Sequence, residues 1–171
     1  MPVTVRVAMA DDAQHLSAIE ASAVLAFRSI DELSWVAQSP PMSVERHRQL
    51  IALSTCWVAL DDESRSQGFL SAERYGEALH IHEVSVALSW QGQGLGRLIE
   101  VAQDYARSNG LRLITLTTFI DVPWNAPFYA SMGFQAKATQ DLEPRLATIL
   151  NAEYQRGYAP GSRCAMVWSV T

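Results

Sequence analysis

The chain is short of cysteine, of basic charge and of long apolar runs, and each shortage removes a class of protein. Only Cys56 and Cys164 occur in 171 residues, each in an apolar, strand-like stretch without metal-ligand spacing. Two such thiols are expected as small buried hydrophobes rather than as a disulfide or a zinc site, so no metal is expected. Thirteen Lys and Arg stand against eighteen Asp and Glu, a formal charge of −5. That balance argues against a general nucleic-acid binder and is compatible with drawing in a cationic amine. No apolar run reaches the roughly 18 residues of a membrane span. The first residues also lack the charged-then-apolar layout of a secretory signal. The expectation is a cytoplasmic protein with no membrane and no nucleic-acid partner. Internal repeats, low-complexity tracts and linkers are missing too, and 49% hydrophobic residues suit one folded domain over residues 1–171.

What is present reads as alternating strands and helices. Val3, Val5 and Val7 alternate with Thr4 and Arg6, as in a half-buried strand. Asp11 or Asp12 can cap a helix running to about Phe27, and a loop follows from Asp31 to Pro41. Ser43 caps a second, short helix. Residues 55–60 and 68–74 form a hairpin-like pair of strands around a polar turn, and a longer strand runs from Leu79 to Leu88. A glycine-rich turn then leads into a helix with Leu95, Leu98, Ile99, Ala102 and Ala106 on one side, ended by Gly110. The apolar strand from Leu111 to Thr117 completes a strand–helix–strand unit with a parallel pair. Asn125 can cap a short helix with Pro127 in its first turn, and that helix ends at Gly133. A strand from Phe134, a helix over 142–154 and a closing strand over 164–170 finish the chain. The fold class is mixed α/β (α+β): a mostly antiparallel central sheet with one parallel pair, flanked by helices.

The turn Gln91-Gly92-Gln93-Gly94-Leu95-Gly96 joins a strand to a helix. Helix starts carry unpaired N–H groups and a partial positive charge, so phosphates bind there, and glycines let the backbone close around an anion. The spacing does not suit a dinucleotide fingerprint: the third glycine comes one residue early, and Leu116-Thr117-Thr118 stands where an acidic residue is needed. A P-loop needs Gly-Lys followed by Ser or Thr, and this chain has Gly96-Arg97-Leu98.

The spacing Gln91-x-x-Gly94-x-Gly96 resembles the pyrophosphate loop of the GNAT superfamily of N-acetyltransferases. Glu83-Val84-Ser85-Val86 is similar to the family's fourth strand, and the segment from Asn125 through Phe128-Tyr129 to Gly133-Phe134 resembles its later Asn…Phe-Tyr…Gly-Phe stretch. The order of elements agrees over nearly the whole chain. The resemblance implies a fold in which the parallel pair splays apart and acetyl-CoA is the co-substrate. It further implies that backbone groups of Val84, Val86 and up to Leu88 line the pantetheine arm. The amides of Gln91, Gly92, Gln93, Gly94, Leu95, Gly96 and Arg97 would hold the pyrophosphate. Arg97 could also reach a phosphate, or simply pair with Glu100. Asn125 is either a cap or a cofactor contact, and Phe128 belongs to the cofactor side.

The resemblance makes Tyr129 the general acid, protonating the departing CoA sulfur. Glu83 is the candidate base, or else an ion-paired or acceptor-positioning carboxylate. Thr117 sits where some relatives carry their base and cannot serve as one. His80 and His82, on the face opposite Glu83, read as ordinary strand histidines, and Asp121 as a turn residue. The acceptor pocket is expected from the first two helices, the loop between them and residues 119–124, with Trp35 and Trp124 as wall or core.

The expected activity is therefore acetyl transfer to a primary amine by direct attack, neither cysteine being placed as an acyl carrier. The alternative is a catalytically silent acyl-CoA sensor or interaction module on the same fold. A small-molecule amine is the expected partner, and a homodimer is open, because the closing strand could pair across an interface or within the sheet.

Overall fold

A computed structural model describes residues 3–171. Seven strands form one sheet in the order β1-β2-β3-β4-β5-β7-β6. They are β1 (Thr4–Val7), β2 (Cys56–Leu60), β3 (Ser66–Tyr75), β4 (Ala78–Val86), β5 (Leu113–Phe119), β6 (Gln135–Lys137) and β7 (Arg163–Ser169). The helices are α1 (Ala13–Ala23), α2 (Val44–Ile51), α3 (Leu95–Ser108), α4 (Ala126–Ser131) and α5 (Pro144–Gln155). The pairs β1–β2, β2–β3, β5–β7 and β6–β7 are antiparallel, and β4–β5 is parallel. The mixed fold class holds. The parallel ladder is short, pairing Ala78, Leu79 and His80 with Leu113, Ile114 and Thr115.

The chain divides into two compact units, one reaching to Arg74 and including Ile81–Asp104, the other made of Tyr75–His80 and Tyr105–Thr171. In the first unit, Leu16 and Ile19 of α1 pack with Ile51 of α2 against Cys56, Val58 and Phe69. In the second, Leu146 and Leu150 of α5 pack against Ala165 of β7. Along α3, Leu98, Ile99, Ala102 and Ala106 are fully buried, the i, i+1, i+4, i+8 stripe that periodicity predicts. Each fully buried Leu or Ile contributes roughly 1.5–3 kcal/mol relative to exposure.

Several boundaries differ from expectation, each for a local reason. The helix expected to reach Phe27 is α-helical only to Ala23 and tightens to 3-10 geometry over Val24–Ser29, a common way for a helix to end. Asp12 does not cap it. Its carboxylate instead accepts two bonds from Arg6, at 2.8 and 3.0 Å, and one from the Met9 amide at 2.7 Å. Burial pushes its pKa up, but those bonds outweigh burial and hold it below the ordinary range. The expected loop after Asp31 is a 3-10 segment, Asp31–Gln38, ending where Pro40 forces Ser39 to be extended. Ser43 does cap α2, accepting from the Arg46 amide at 3.1 Å. α5 starts at Pro144, not Leu142, because the residue before a proline is driven out of helical geometry. β7 lies between β5 and β6, which answers where the closing strand pairs: within the sheet, with both edges used. No helix among the described residues is long and apolar enough to cross a membrane.

Candidate functional site

In the first unit the expected cofactor residues run from β4 through the turn into α3. β4 was expected to continue to Leu88 but stops at Val86, and Leu88–Trp90 forms a 3-10 turn closed by the Trp90 amide on the Ala87 carbonyl at 2.8 Å. Consequently Leu88 is exposed, and its N–H donates to Ser22 Oγ at 2.9 Å. The Val86 carbonyl accepts from Gln91 Nε2 at 3.2 Å. These two groups are engaged by the protein itself; Val84, half-buried in mid-strand, precedes them.

Gly92 and Gly94 adopt φ of +86° and +81°, the left-handed region that glycine enters without steric cost. At Gly94 a Cβ would lie 2.8 Å from Trp90 Cζ3, so the turn needs glycine there twice over. The amides of Gln91 and Gln93 are spent inside the turn, on the Leu88 and Trp90 carbonyls at 3.3 and 3.0 Å. The first bond of α3 runs from the Leu98 amide to the Gly94 carbonyl at 3.0 Å. Leu95, Gly96 and Arg97 therefore precede any intrahelical donor, and their amides are the orphans of a helix start. Sequence reasoning had included every amide from Gln91 to Arg97; the geometry narrows that set. Gly96 has no positive φ, and a Cβ there would meet nothing within 4 Å. The fold does not need glycine at 96, and its position leaves the helix start open to a close-approaching anion. Arg97 pairs with Glu100 at 3.4 Å, with both side chains about half exposed, a weak contact that a phosphate could displace.

Glu83 is half-buried on β4, and its Oε1 accepts from Ser85 Oγ at 2.9 Å. Two residues apart on a strand, they share a face. His82, on the other face, lies 3.0 Å from Glu73 Oε1. His80 bonds Thr115 Oγ1 at 2.8 Å. Both histidines behave as sheet residues. Trp35 is 40% exposed and so is not a core residue.

In the second unit, α4 carries Asn125, Phe128 and Tyr129. Asn125 precedes the helix at φ −113°, ψ −115° without a side-chain cap bond. Only its carbonyl serves the helix, accepting from the Tyr129 amide at 3.0 Å. The capping role that would have explained this side chain is absent. Tyr129 is 6% exposed, with edge-to-face contacts to Phe128 and Phe134 at 5.5 and 5.9 Å between centroids. Gly133, at φ +95°, turns the chain out of α4, and a Cβ there would sit 3.2 Å from Trp168.

Glu153 was not singled out from sequence. It is 5% exposed, on the buried face of α5 with Leu146 and Leu150. Thr117 Oγ1 donates to its Oε2 at 2.7 Å, and Arg163 donates to both its oxygens at 2.9 and 3.2 Å. Arg163 also lies over the Phe119 and Tyr158 rings at 4.5 and 4.8 Å. A carboxylate thus stands beside Thr117 after all, supplied by a helix and already neutralised. The signal was available: a Glu at i+7 on the stripe begun by Leu146 and Leu150. Burial raises the Cys56 thiol to about 11 and also raises Cys164. Thiols so protonated are poor nucleophiles.

Comparison with known proteins agrees with this geometry. The family model described as the acetyltransferase (GNAT) domain matches residues 52–136. The chain is similar to the PaiA N-acetyltransferase of Thermoplasma acidophilum, solved with coenzyme A, at 15% identity and a TM-score of 0.71 over 99% of each chain. It is similar to the ribosomal-protein-S18-alanine N-acetyltransferase of Escherichia coli at 15% identity and a TM-score of 0.69, covering 99% of this chain and 95% of that one. The N-acetylglutamate synthase of Neisseria gonorrhoeae, solved with coenzyme A and N-acetyl-glutamate, matches at 19% identity and a TM-score of 0.70. This chain is wholly covered there but spans only 36% of that protein. Residues 52–136 thus match the GNAT acetyltransferase domain, and the fold around them is shared with the solved structures over nearly the whole chain.

Proposed function

We propose that the chain is one acyl-CoA-dependent N-acetyltransferase domain, moving an acetyl group from acetyl-CoA to a primary amine by direct attack. The observation that carries this reading is the start of α3. Left-handed glycines at 92 and 94 turn the chain, and orphan amides follow at Leu95, Gly96 and Arg97, with open space over Gly96. That arrangement fits a diphosphate. The short parallel ladder, ending at His80, adds support, because β4 residues beyond it, Val84 among them, can offer backbone groups to a pantetheine arm. Matches that cover essentially the whole chain support treating residues 1–171 as one domain.

Bound acetyl-CoA supplies an activated acyl carbonyl and a thiolate leaving group. The amine nitrogen bonds to that carbonyl carbon, and the carbon–sulfur bond breaks. Tyr129 donates its phenolic proton to the sulfur. Glu83, or a water it holds, takes the proton shed by the amine, and the bond from Ser85 keeps the carboxylate oriented. Asn125, freed from capping, and Phe128 contact the cofactor beside Tyr129. Direct transfer is favoured over an acyl-enzyme because burial keeps both thiols protonated.

The test is acetyl-CoA consumption across a panel of amines, comparing the native chain with Tyr129→Phe and Glu83→Gln. Tyr129→Phe is expected to lower turnover roughly 100- to 10,000-fold while coenzyme A still binds. Unchanged turnover removes Tyr129 from the mechanism. Coenzyme A binding without transfer to any amine leaves the silent-binder alternative in its place.

A further inference from the structure

Between β6 and β7 the chain spends residues 138–162 on a connection that includes α5. Here, within the second unit, lies a cavity of about 500 Å³ that the reading above does not use. Its volume is in the range of small-molecule sites. Ala126, Ala136, Ala147 and Ala165 line it with Leu142 and Leu150, so small side chains keep the space open and much of its wall is apolar. Ala126 opens α4 and stands three residues before Tyr129, a spacing that puts two residues on the same helix face.

The polar part of the wall consists of the neutral Thr139, Asn151 and Tyr154 and of two cations. Lys137, the chain's single lysine, lines the cavity, and so does Arg163. Arg163 is already neutralised by Glu153. Lys137 forms no ion pair among the described residues. Eighteen Asp and Glu occur in the chain, yet none lines this cavity. A protein with a surplus of negative charge thus presents a largely apolar cavity, open to solvent along Ala136–Thr139, where the exposed Lys137 is the one charge without an ion pair. Charge complementarity calls for an anionic group there, next to a compact apolar one.

We propose that this cavity receives the acyl acceptor, and that the acceptor is an apolar α-amino acid whose carboxylate meets Lys137. The inference rests on the acetyltransferase reading and narrows it. Of the loop expected to form the acceptor pocket, 119–124, only Ile120 reaches this chamber. A polyamine would meet no carboxylate in it. The chemistry of transfer is unchanged: the α-amine attacks, and the carboxylate only positions it.

Thiol release from acetyl-CoA is to be followed with L-leucine and L-phenylalanine, each beside the matching amine without a carboxylate, isoamylamine or phenethylamine, and with spermidine. The amino acids are expected to exceed their matched amines in kcat/KM by about 10- to 100-fold, the worth of one charge-assisted contact. Lys137→Met should collapse that ratio toward one through KM, and Lys137→Arg should restore part of it. Ala147→Phe, which fills the chamber, should raise KM for both amino acids. Equal use of amino acid and matched amine, a preference for spermidine, or a ratio indifferent to Lys137→Met overturns the proposal.

If no amine is acetylated, the acetyltransferase reading has failed, and the chamber is judged by a separate measurement. Lys137 is then labelled with an amine-reactive reagent and read by mass spectrometry as the one lysine peptide. Protection by N-acetyl-L-leucine but not by N-isoamylacetamide upholds the site. Labelling indifferent to N-acetyl-L-leucine overturns it.

Discussion

At the turn between β4 and α3 the backbone does the shaping, whereas beneath α5 side chains do. The turn depends on two left-handed glycines, a run of carbonyl-to-amide closures and a helix start whose amides have no intrahelical partner. The chamber in the second unit depends on the side chains of α5 and its neighbours: Leu142 and Leu150 as walls, alanines as gaps, and Glu153 anchoring the helix to Thr117 and Arg163. A backbone-built region should be indifferent to most side-chain changes and intolerant of an added Cβ. A side-chain-built one should behave in the opposite way. The contrast can be tested from both sides.

The largest expected effect is on the side-chain-built region. Glu153 and Arg163 are 7% and 11% exposed at their side chains, and removing one partner of a buried pair strands the other charge. Glu153→Leu should cost about 3–5 kcal/mol. For a chain of this size that is on the order of 10 °C in Tm. The double variant Glu153→Leu with Arg163→Met should recover much of the loss, since a well-packed apolar pair replaces a buried ionic one at little cost. A loss below about 1 kcal/mol in the single variant would show that α5 is held by its apolar stripe alone.

Next come two glycines in the backbone-built region, where the same substitution should have opposite effects on stability. Gly94→Ala forces a Cβ into the left-handed region and to 2.8 Å from the Trp90 ring. It should destabilise by about 1–2 kcal/mol from conformation alone. Gly96→Ala meets open space at an ordinary helical φ and should stabilise by about 0.5–1 kcal/mol. If the amides beside it hold a diphosphate, that same methyl obstructs the approach, and coenzyme A affinity should fall by about tenfold, the loss of one charge-assisted contact. Denaturant melts and a coenzyme A titration on the two variants are enough. A Gly96→Ala protein that is more stable and binds coenzyme A unchanged would take the phosphate away from this helix start.

The same contrast explains how far the sequence could be read. Glycine announces backbone requirements, so Gly92, Gly94, Gly110 and Gly133 marked a phosphate-type turn and two helix ends, and all four have positive φ. Hydrophobic period found the buried stripe of α3 and the buried pair in the sheet. Competition between equally short-range bonds was less legible. Asp12 read as a cap, but the Arg6 guanidinium offers two donors where a helix start offers one. Asn125 also read as a cap and makes no such bond. Gln91 and Gln93 looked like ligand amides, and only the closed turn reveals that they are used internally. The chamber was invisible for a different reason. Alanine has no pattern of its own, and a cavity is defined by what distant segments fail to fill.

The smallest effect probes a place where a side chain supports a turn in the backbone-built unit. Asp61 begins the β2–β3 connection, and its carboxylate accepts from the amides of Glu63 and Arg65 and from the side chains of Arg65 and Gln67. Those bonds, the Arg65 amide first, lower its pKa from 3.8 to about 2. A carboxylate with a depressed folded pKa lends stability that is complete above its unfolded value. That stability is lost as pH falls toward the folded one. The Tm difference between the native chain and Asp61→Ala should therefore be flat above about pH 5 and shrink as the pH falls from 3.8 toward about 2. The difference should be small, because the turn lies at the surface and its charged partner Arg65 is exposed, so water competes for these bonds. A difference that grew on acidification would mean the neutral carboxyl is the better turn-former, and the four bonds would then contribute to geometry without contributing to stability.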